Sequence, residues 1–155
     1  MKVAIIGAGP RGLWAAESLM ERARQRGCAI DLTVYSDVPL SHASAPGAFA
    51  QDLPAQWILN APKGIVETQL GPVDPHDEYA GDFPPRRIVG TLLEDSWNAL
   101  AEHAPRRSTV SFYFERVDSV RPDGDSVEVQ GQFYDEVLIA TGHAHDWPGS
   151  LTHEE

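Results

Sequence analysis

Three glycines in six residues, Gly7-Ala8-Gly9-Pro10-Arg11-Gly12, stand between an apolar run and an amphipathic stripe. No other feature of the chain narrows its fold so far. Val3 to Ile6 is apolar, rich in β-branched residues and ended by Gly7, the pattern of a buried strand in a parallel sheet. Past the glycines the period changes, and Leu13, Ala16, Met20 and Ala23 fall on one helical stripe. Arg22, Arg24 and Arg26 load the last turns with charge that suits the helix dipole, and Gly27 predicts the stop. Asp31 to Tyr35 reads as a second strand, completing a βαβ unit with a right-handed crossover. In that frame each glycine has a task. Gly7 makes the tight turn, Gly9 lets the backbone approach a pyrophosphate, and Gly12 lets helix and strand pack closely. Pro10 and Arg11 open a helix whose unpaired N–H groups would point at the phosphates. The motif predicts a dinucleotide site; the alternative is a glycine-rich turn that binds nothing.

A dinucleotide domain normally ends its second strand with an acidic residue that holds a ribose. Here Ser36 takes that slot and Asp37 follows one place late, 29 and 30 residues after Gly7, against the usual spacing of about 20. Either side chain could meet the ribose, although a serine lacks the charge-assisted strength of a carboxylate. Asp37 could equally do no more than start the turn before Pro39.

The next stretch is different in kind, since residues 37–87 hold eight of the chain's 12 prolines. Proline removes donors and fixes φ, so this segment predicts irregular chain without long helix or central strand. Irregular chain of that length inside a domain usually covers something. A helix is then predicted from about Ile88 to His103, with Leu92, Leu93, Trp97, Leu100 and Ala101 on one side. Val110, Phe112 and Phe114 alternate as a strand. Arg116 to Val120 and Ser126 to Gln130 flank Pro122-Asp123-Gly124 and predict a hairpin. Phe133 to Ala140 predicts one last strand, ending in Thr141-Gly142. The expected class is α/β, a Rossmann-like parallel sheet flanked by helices.

Composition removes several kinds of function. A length of 155 residues suits one domain. A net charge of −11, from 12 basic and 23 acidic side chains, argues against a nucleic-acid backbone or an anionic membrane as partner. Met1 to Ile6 is too short an apolar run for a signal peptide or membrane span, so a cytoplasmic setting is expected. The single cysteine, Cys28, allows no internal disulfide and is expected as a small buried hydrophobe.

Four blocks in order resemble a known family. They are Gly7-Ala8-Gly9-Pro10-Arg11-Gly12-Leu13; Gly47-Ala48-Phe49-Ala50 leading to Leu53-Pro54-Ala55-Gln56-Trp57-Ile58-Leu59-Asn60-Ala61-Pro62; Phe83-Pro84-Pro85-Arg86 with Gly90 and Leu92-Leu93; and Tyr134 to His143. Together they are similar to the N-terminal FAD-binding part of bacterial FAD/NAD(P)-binding flavoproteins, relatives of the flavin-containing and N-hydroxylating monooxygenases. The resemblance implies a small antiparallel β-meander inserted before the last strand. It also implies a single domain over residues 1–155, either the N-terminal part of a longer flavoprotein or a minimal version. Complete members carry a further FAD contact, commonly Gly-Asp after a strand, and neither Gly81-Asp82 nor Gly124-Asp125 has that context.

By this resemblance the chain binds FAD for a flavin-dependent, monooxygenase-like oxidoreductase, with NAD(P)H as reductant of the complete enzyme. Gly7, Gly9, Pro10, Arg11 and Gly12 would hold the pyrophosphate, Ser36 or Asp37 the ribose, and Thr141 and Gly142 the far wall of the cleft. Asn60, in Asn60-Ala61-Pro62-Lys63, matches an asparagine that lies by the flavin ring in the relatives; the alternative is an asparagine capping its own turn. Two other functions stay open: an NAD-binding domain, and a truncated non-catalytic module. NADP is disfavoured, because no arginine follows the second strand to take a 2′-phosphate.

The remaining clusters read blandly. His143-Ala144-His145-Asp146 lacks a third ligand in register, so a solvated loop is expected and no metal. Asp74, His76, Asp77 and Glu78 read as a solvated acidic face. Trp57 is expected in the core or a pocket wall. With no G-x-S-x-G elbow, and Cys28 near a helix end, nucleophilic catalysis has no candidate.

Overall fold

The structure is a computed structural model that describes residues 1–38, 49–50 and 52–142. Strand β1 (Lys2–Ile6) leads through the glycine turn into helix α1 (Pro10–Arg26) and strand β2 (Asp31–Tyr35). The proline-rich segment contributes a 3₁₀ turn (Lys63–Ile65) and two-residue strands β3 (Glu67–Thr68) and β4 (Gly71–Pro72). Helix α2 (Arg86–Glu102) and strand β5 (Thr109–Tyr113) follow, then β6 (Val120–Asp123), β7 (Ser126–Val129), β8 (Gln132–Tyr134) and β9 (Glu136–Ile139).

Four strands form the central sheet in the order β5-β2-β1-β9, every pair parallel. Alternation along each strand feeds two cores. Val3, Ile5, Leu32 and Val34 join Leu13, Ala16 and Met20 of α1 and Leu93 and Trp97 of α2 on one face. Ala4, Ile6 and Tyr35 meet Val129 and Tyr134 of the antiparallel β6-β7-β8 meander on the other. Both faces are covered, which is why residues 3–6 of β1 are all apolar and, after Asp31, β2 departs from that only at the buried Thr33. A buried 2.8 Å hydrogen bond between the Tyr35 and Tyr134 hydroxyls links sheet to meander. Burial pushes the Tyr35 hydroxyl's pKa up, and the Tyr134 partner adds to the rise.

Five expectations need correction. The segment Phe133–Ala140 is two strands, broken at Asp135. There the chain crosses from meander to parallel sheet, with Asp135 N–H donating to Lys2 O at 2.9 Å and Lys2 N–H donating to Asp135 Oδ2 at 2.7 Å. The first hairpin arm is Val120–Asp123 rather than Arg116–Val120, because the reversal falls at Gly124-Asp125, where Gly124 has φ +60°. Cys28 is exposed. Its N–H caps Ala23 O at 3.1 Å just beyond the left-handed Gly27, and that closing turn faces solvent.

Trp57 is 52% exposed, since its backbone rather than its ring is used: N–H to Pro54 O, and O from Arg86 N–H. Asp74 is no solvated acid. Its carboxylate is 2% exposed and accepts from Glu78 N, Tyr79 N and Lys63 Nζ. Burial pushes its pKa up, but those three donors outweigh it and the net value lies below the ordinary one.

Candidate functional site

The parallel strands all end at one edge, and the chain's glycine turn sits there. From β1 the chain adds β2 and β5 on one side and returns to add β9 on the other, so the turn lies where strand order reverses. Such a switch point opens a crevice beyond the strand ends. Gly7 N–H donates to Tyr35 O at 2.8 Å, Ala140 N–H to Ile6 O at 2.8 Å and Ser36 N–H to Tyr113 O at 3.0 Å, stitching the four strand ends together.

The three glycines are there for different reasons. Gly7 has φ +111°, and a Cβ on it would stand 2.3 Å from Ala140 O. A Cβ on Gly12 would stand 2.1 Å from Gly7 O. Both are required by the fold itself. Gly9 is not: its backbone is extended, at φ −71° and ψ −175°, and a Cβ there meets nothing within 4 Å. A bare backbone facing open space is the cradle a pyrophosphate needs.

Pro10 occupies the first helical position, and no side chain caps α1. Leu13 N–H is the first to bond back, to Gly9 O at 3.0 Å, which leaves the N–H groups of Arg11 and Gly12 without an acceptor among the described residues. These donors and the positive helix end suit an anion. From the opposite side Trp97 of α2 donates Nε1–H to Ala8 O at 2.8 Å and holds the turn in place.

Ser36 and Asp37 follow the end of β2, directly beside Gly7. The Ser36 hydroxyl donates to Val38 O at 2.8 Å and accepts Val38 N–H at 3.3 Å, while Asp37 is exposed. Thr141 and Gly142 are exposed beyond β9, with Thr141 N 3.1 Å from where a Gly7 Cβ would be. The strand ends thus bring all nine residues read as cofactor contacts to one rim.

Asn60 reaches this region on a separate strap. The strap pairs antiparallel with the start of α2 through Ile58 and Pro85, with Leu59 N–H donating to Pro84 O at 2.8 Å. The Asn60 side chain has no hydrogen-bond partner among the described residues, so it caps no turn there. It lines a cavity of about 230 Å³ between α1, α2 and the strap, together with Pro10 and Trp14 of α1 and Val89 and Leu93 of α2.

Other polar groups are structural. Lys63 Nζ binds Asp74, Asp77 and Tyr79 O, and Asp77 first, then Asp74, raises its pKa although burial opposes them. Glu17 accepts Gln69 N–H at 2.9 Å; burial pushes its carboxyl up, offset in part by that bond. Among the described residues no group of three potential metal ligands occurs, and no helix is long and apolar enough to cross a membrane. His143, His145 and Asp146 lie outside the described residues, as do Gly47 and Ala48. Sequence patterns missed the Trp97 bond and the cavity walls, which are tertiary. They also missed Arg87, whose Nε is buried with no hydrogen-bond partner among the described residues.

A parallel sheet covered by helices and a meander, with a glycine turn at its switch point, defines a Rossmann-like dinucleotide-binding domain. A family model described as FAD-NAD(P)-binding matches residues 4–144, and the chain belongs to that family. The fold is similar to that of Tmm from Pelagibacter sp. strain HTCC7211, with a TM-score of 0.59 and 20% identity over 92% of this chain and 36% of Tmm. The chain therefore spans little more than a third of Tmm's length. Comparison with curated proteins finds no match.

Proposed function

We propose that this chain is the FAD-binding domain of a flavin-dependent, monooxygenase-like oxidoreductase that takes its electrons from NAD(P)H. The observation that carries the reading is the contrast among the glycines of the turn: Gly7 and Gly12 are demanded by packing, whereas a Cβ on Gly9 meets nothing within 4 Å, beside the free N–H groups at the start of α1. In this reading Gly9, with the N–H groups of Arg11 and Gly12, holds the pyrophosphate. Ser36 or Asp37 meets the adenosine ribose, and Thr141-Gly142 walls the cleft. Asn60 lies toward the reacting end. FAD is preferred to NAD because a serine stands where a nicotinamide dinucleotide domain carries its ribose-binding acid. When bound, the flavin supplies the redox chemistry; the chain's own residues bind it, orient it and shield it from water.

The test is direct. The gene product, purified at its full open reading frame, is expected to carry flavin absorbance or to acquire it on incubation with FAD. A protein that stays colourless with excess FAD, or that binds NADH more tightly than FAD by calorimetry, overturns the assignment. Ser36→Ala is expected to weaken FAD binding by about 0.5–1.5 kcal/mol, one neutral hydrogen bond.

A further inference from the structure

Two arginines stand side by side at the start of α2, and one of them has its work visible in the fold. Arg86 donates Nε–H to Ile58 O at 3.1 Å, and its guanidinium lies 5.8 Å from the centre of the Phe49 ring. Arg87 has no such contacts. It is half-buried, and its Nε is fully buried with no hydrogen-bond acceptor among the described residues. The ion pairs among those residues join Arg24 to Glu21, Lys63 to Asp74 and Asp77, and Arg116 to Asp118; none reaches Arg87.

Elementary preferences all oppose an arginine at this position. A guanidinium cannot shed its charge in a protein, so burying one of its donors unpaired costs stability. The first turn of a helix disfavours a cation, and α2 has no acidic residue in that turn. One turn further on, where a carboxylate could reach Arg87, stand Gly90 and Thr91. Gly90 instead admits the chain at Phe49: a Cβ on it would stand 2.1 Å from Phe49 O. Chain therefore covers the side of α2 that Arg87 shares with Gly90. With 23 acidic side chains against 12 basic ones, the sequence is rich in possible partners, yet no described carboxylate is placed here. A residue that breaks local rules without compensation inside the protein belongs to a functional position.

Its place separates it from the contacts described above. Val89, Leu92 and Leu93, which line the cavity with Asn60, lie about 120–160° round the helix from Arg87. Trp97, whose indole meets the glycine turn at Ala8 O, comes ten residues later on α2. Arg87 thus stands about 15 Å along the helix from that level. An anion at Arg87 is neither the pyrophosphate at Gly9 nor a group in the Asn60 cavity.

We propose that Arg87 is an oxyanion-binding residue, its unpaired guanidinium taking a phosphate or carboxylate of a small ligand other than the dinucleotide held at the glycine turn. The planar fork matches either group with two parallel hydrogen bonds. A bound oxyanion gives the buried Nε–H its acceptor and offsets the positive charge at the start of α2. The site goes beyond the flavin reading and does not depend on it.

Thermal unfolding of the full-length gene product in phosphate, acetate or chloride at matched ionic strength tests this. Phosphate or acetate should raise the midpoint saturably beyond chloride, and whichever acts at the lower concentration names the class of group. Arg87→Met should weaken that oxyanion at least about tenfold, the loss of charge-assisted hydrogen bonds. Arg87→Lys, which keeps the charge without the fork, should retain part of the response. In chloride alone Arg87→Met should unfold at the same temperature as wild type or higher, because it removes a cation that has no partner; an arginine that merely holds the fold would show a fall. Each variant is also read in a Gly9→Val background, so that phosphate at the glycine turn is not mistaken for phosphate at Arg87. A lower midpoint for Arg87→Met in chloride, a response that Arg87→Met leaves undiminished in that background, or no response beyond chloride would each overturn the proposal.

Discussion

The indole of Trp97 and the carbonyl of Ala8, 89 positions apart in the chain, share a buried hydrogen bond of 2.8 Å. Through it α2 braces the turn that α1 and β1 build. Trp97→Phe keeps most of the ring, which packs edge-on against Phe112 at 5.6 Å, but leaves the Ala8 carbonyl buried without its donor. A cost of about 1–3 kcal/mol is expected from that unpaired group, read as a fall in the urea midpoint. Dinucleotide affinity should drop more than stability alone explains, because the turn loses its brace.

The glycines separate folding from binding. Gly7→Ala and Gly12→Ala each drive a Cβ into backbone oxygen, and both are expected to lower the thermal midpoint sharply. A Cβ on Gly9 meets nothing within 4 Å, so Gly9→Val should leave far-UV circular dichroism near wild type while abolishing FAD binding. Wild-type affinity in Gly9→Val would remove the turn as the phosphate site.

The two tyrosine hydroxyls offer a double-mutant cycle. Tyr35→Phe strands the Tyr134 hydroxyl, and Tyr134→Phe strands that of Tyr35, at about 1–3 kcal/mol each. Tyr35→Phe with Tyr134→Phe removes both partners and should cost less than the sum of the singles. Additive losses would mean the pair is not coupled.

Glu17 gives stability a pH dependence with a definite sign. Its carboxyl is raised by burial, so the native state holds the proton more tightly than the unfolded chain does. Stability should therefore fall as pH rises from the ordinary glutamate range through the raised value, then level off. Asp74, whose value is lowered, acts in the opposite sense and further toward acid, its contribution disappearing as pH falls. Glu17→Gln keeps an acceptor for Gln69 N–H and has no proton to lose. Its urea midpoints should lack the decline and exceed wild type above it; a decline of the same size in the variant would place its origin elsewhere.

What could be read from the chain follows from how local each signal is. β1, the glycine turn, α1 and β2 are written in contiguous residues, and Asp31–Tyr35 matches residue for residue. The break at Asp135 was invisible, because the residue that enforces it, Lys2, lies 133 positions away. Cys28 looked like a core residue by type; the turn that closes α1 decides its direction instead. Asn60 could be singled out only through resemblance, since its surroundings come from two helices and a strap with no shared periodicity. The cavity had no sequence signal at all.

The exposed Cys28 has a practical side. It is the chain's single thiol, and it stands one residue, Gly27, beyond the 17-residue helix α1, which starts within the glycine turn. At 1.5 Å of rise per residue, about 25 Å separates the two ends. A fluorophore or spin label coupled there rides on the same rigid rod as the glycine turn yet stands clear of it. One cysteine thus gives a built-in reporter position from which occupancy can be followed without engineering a second.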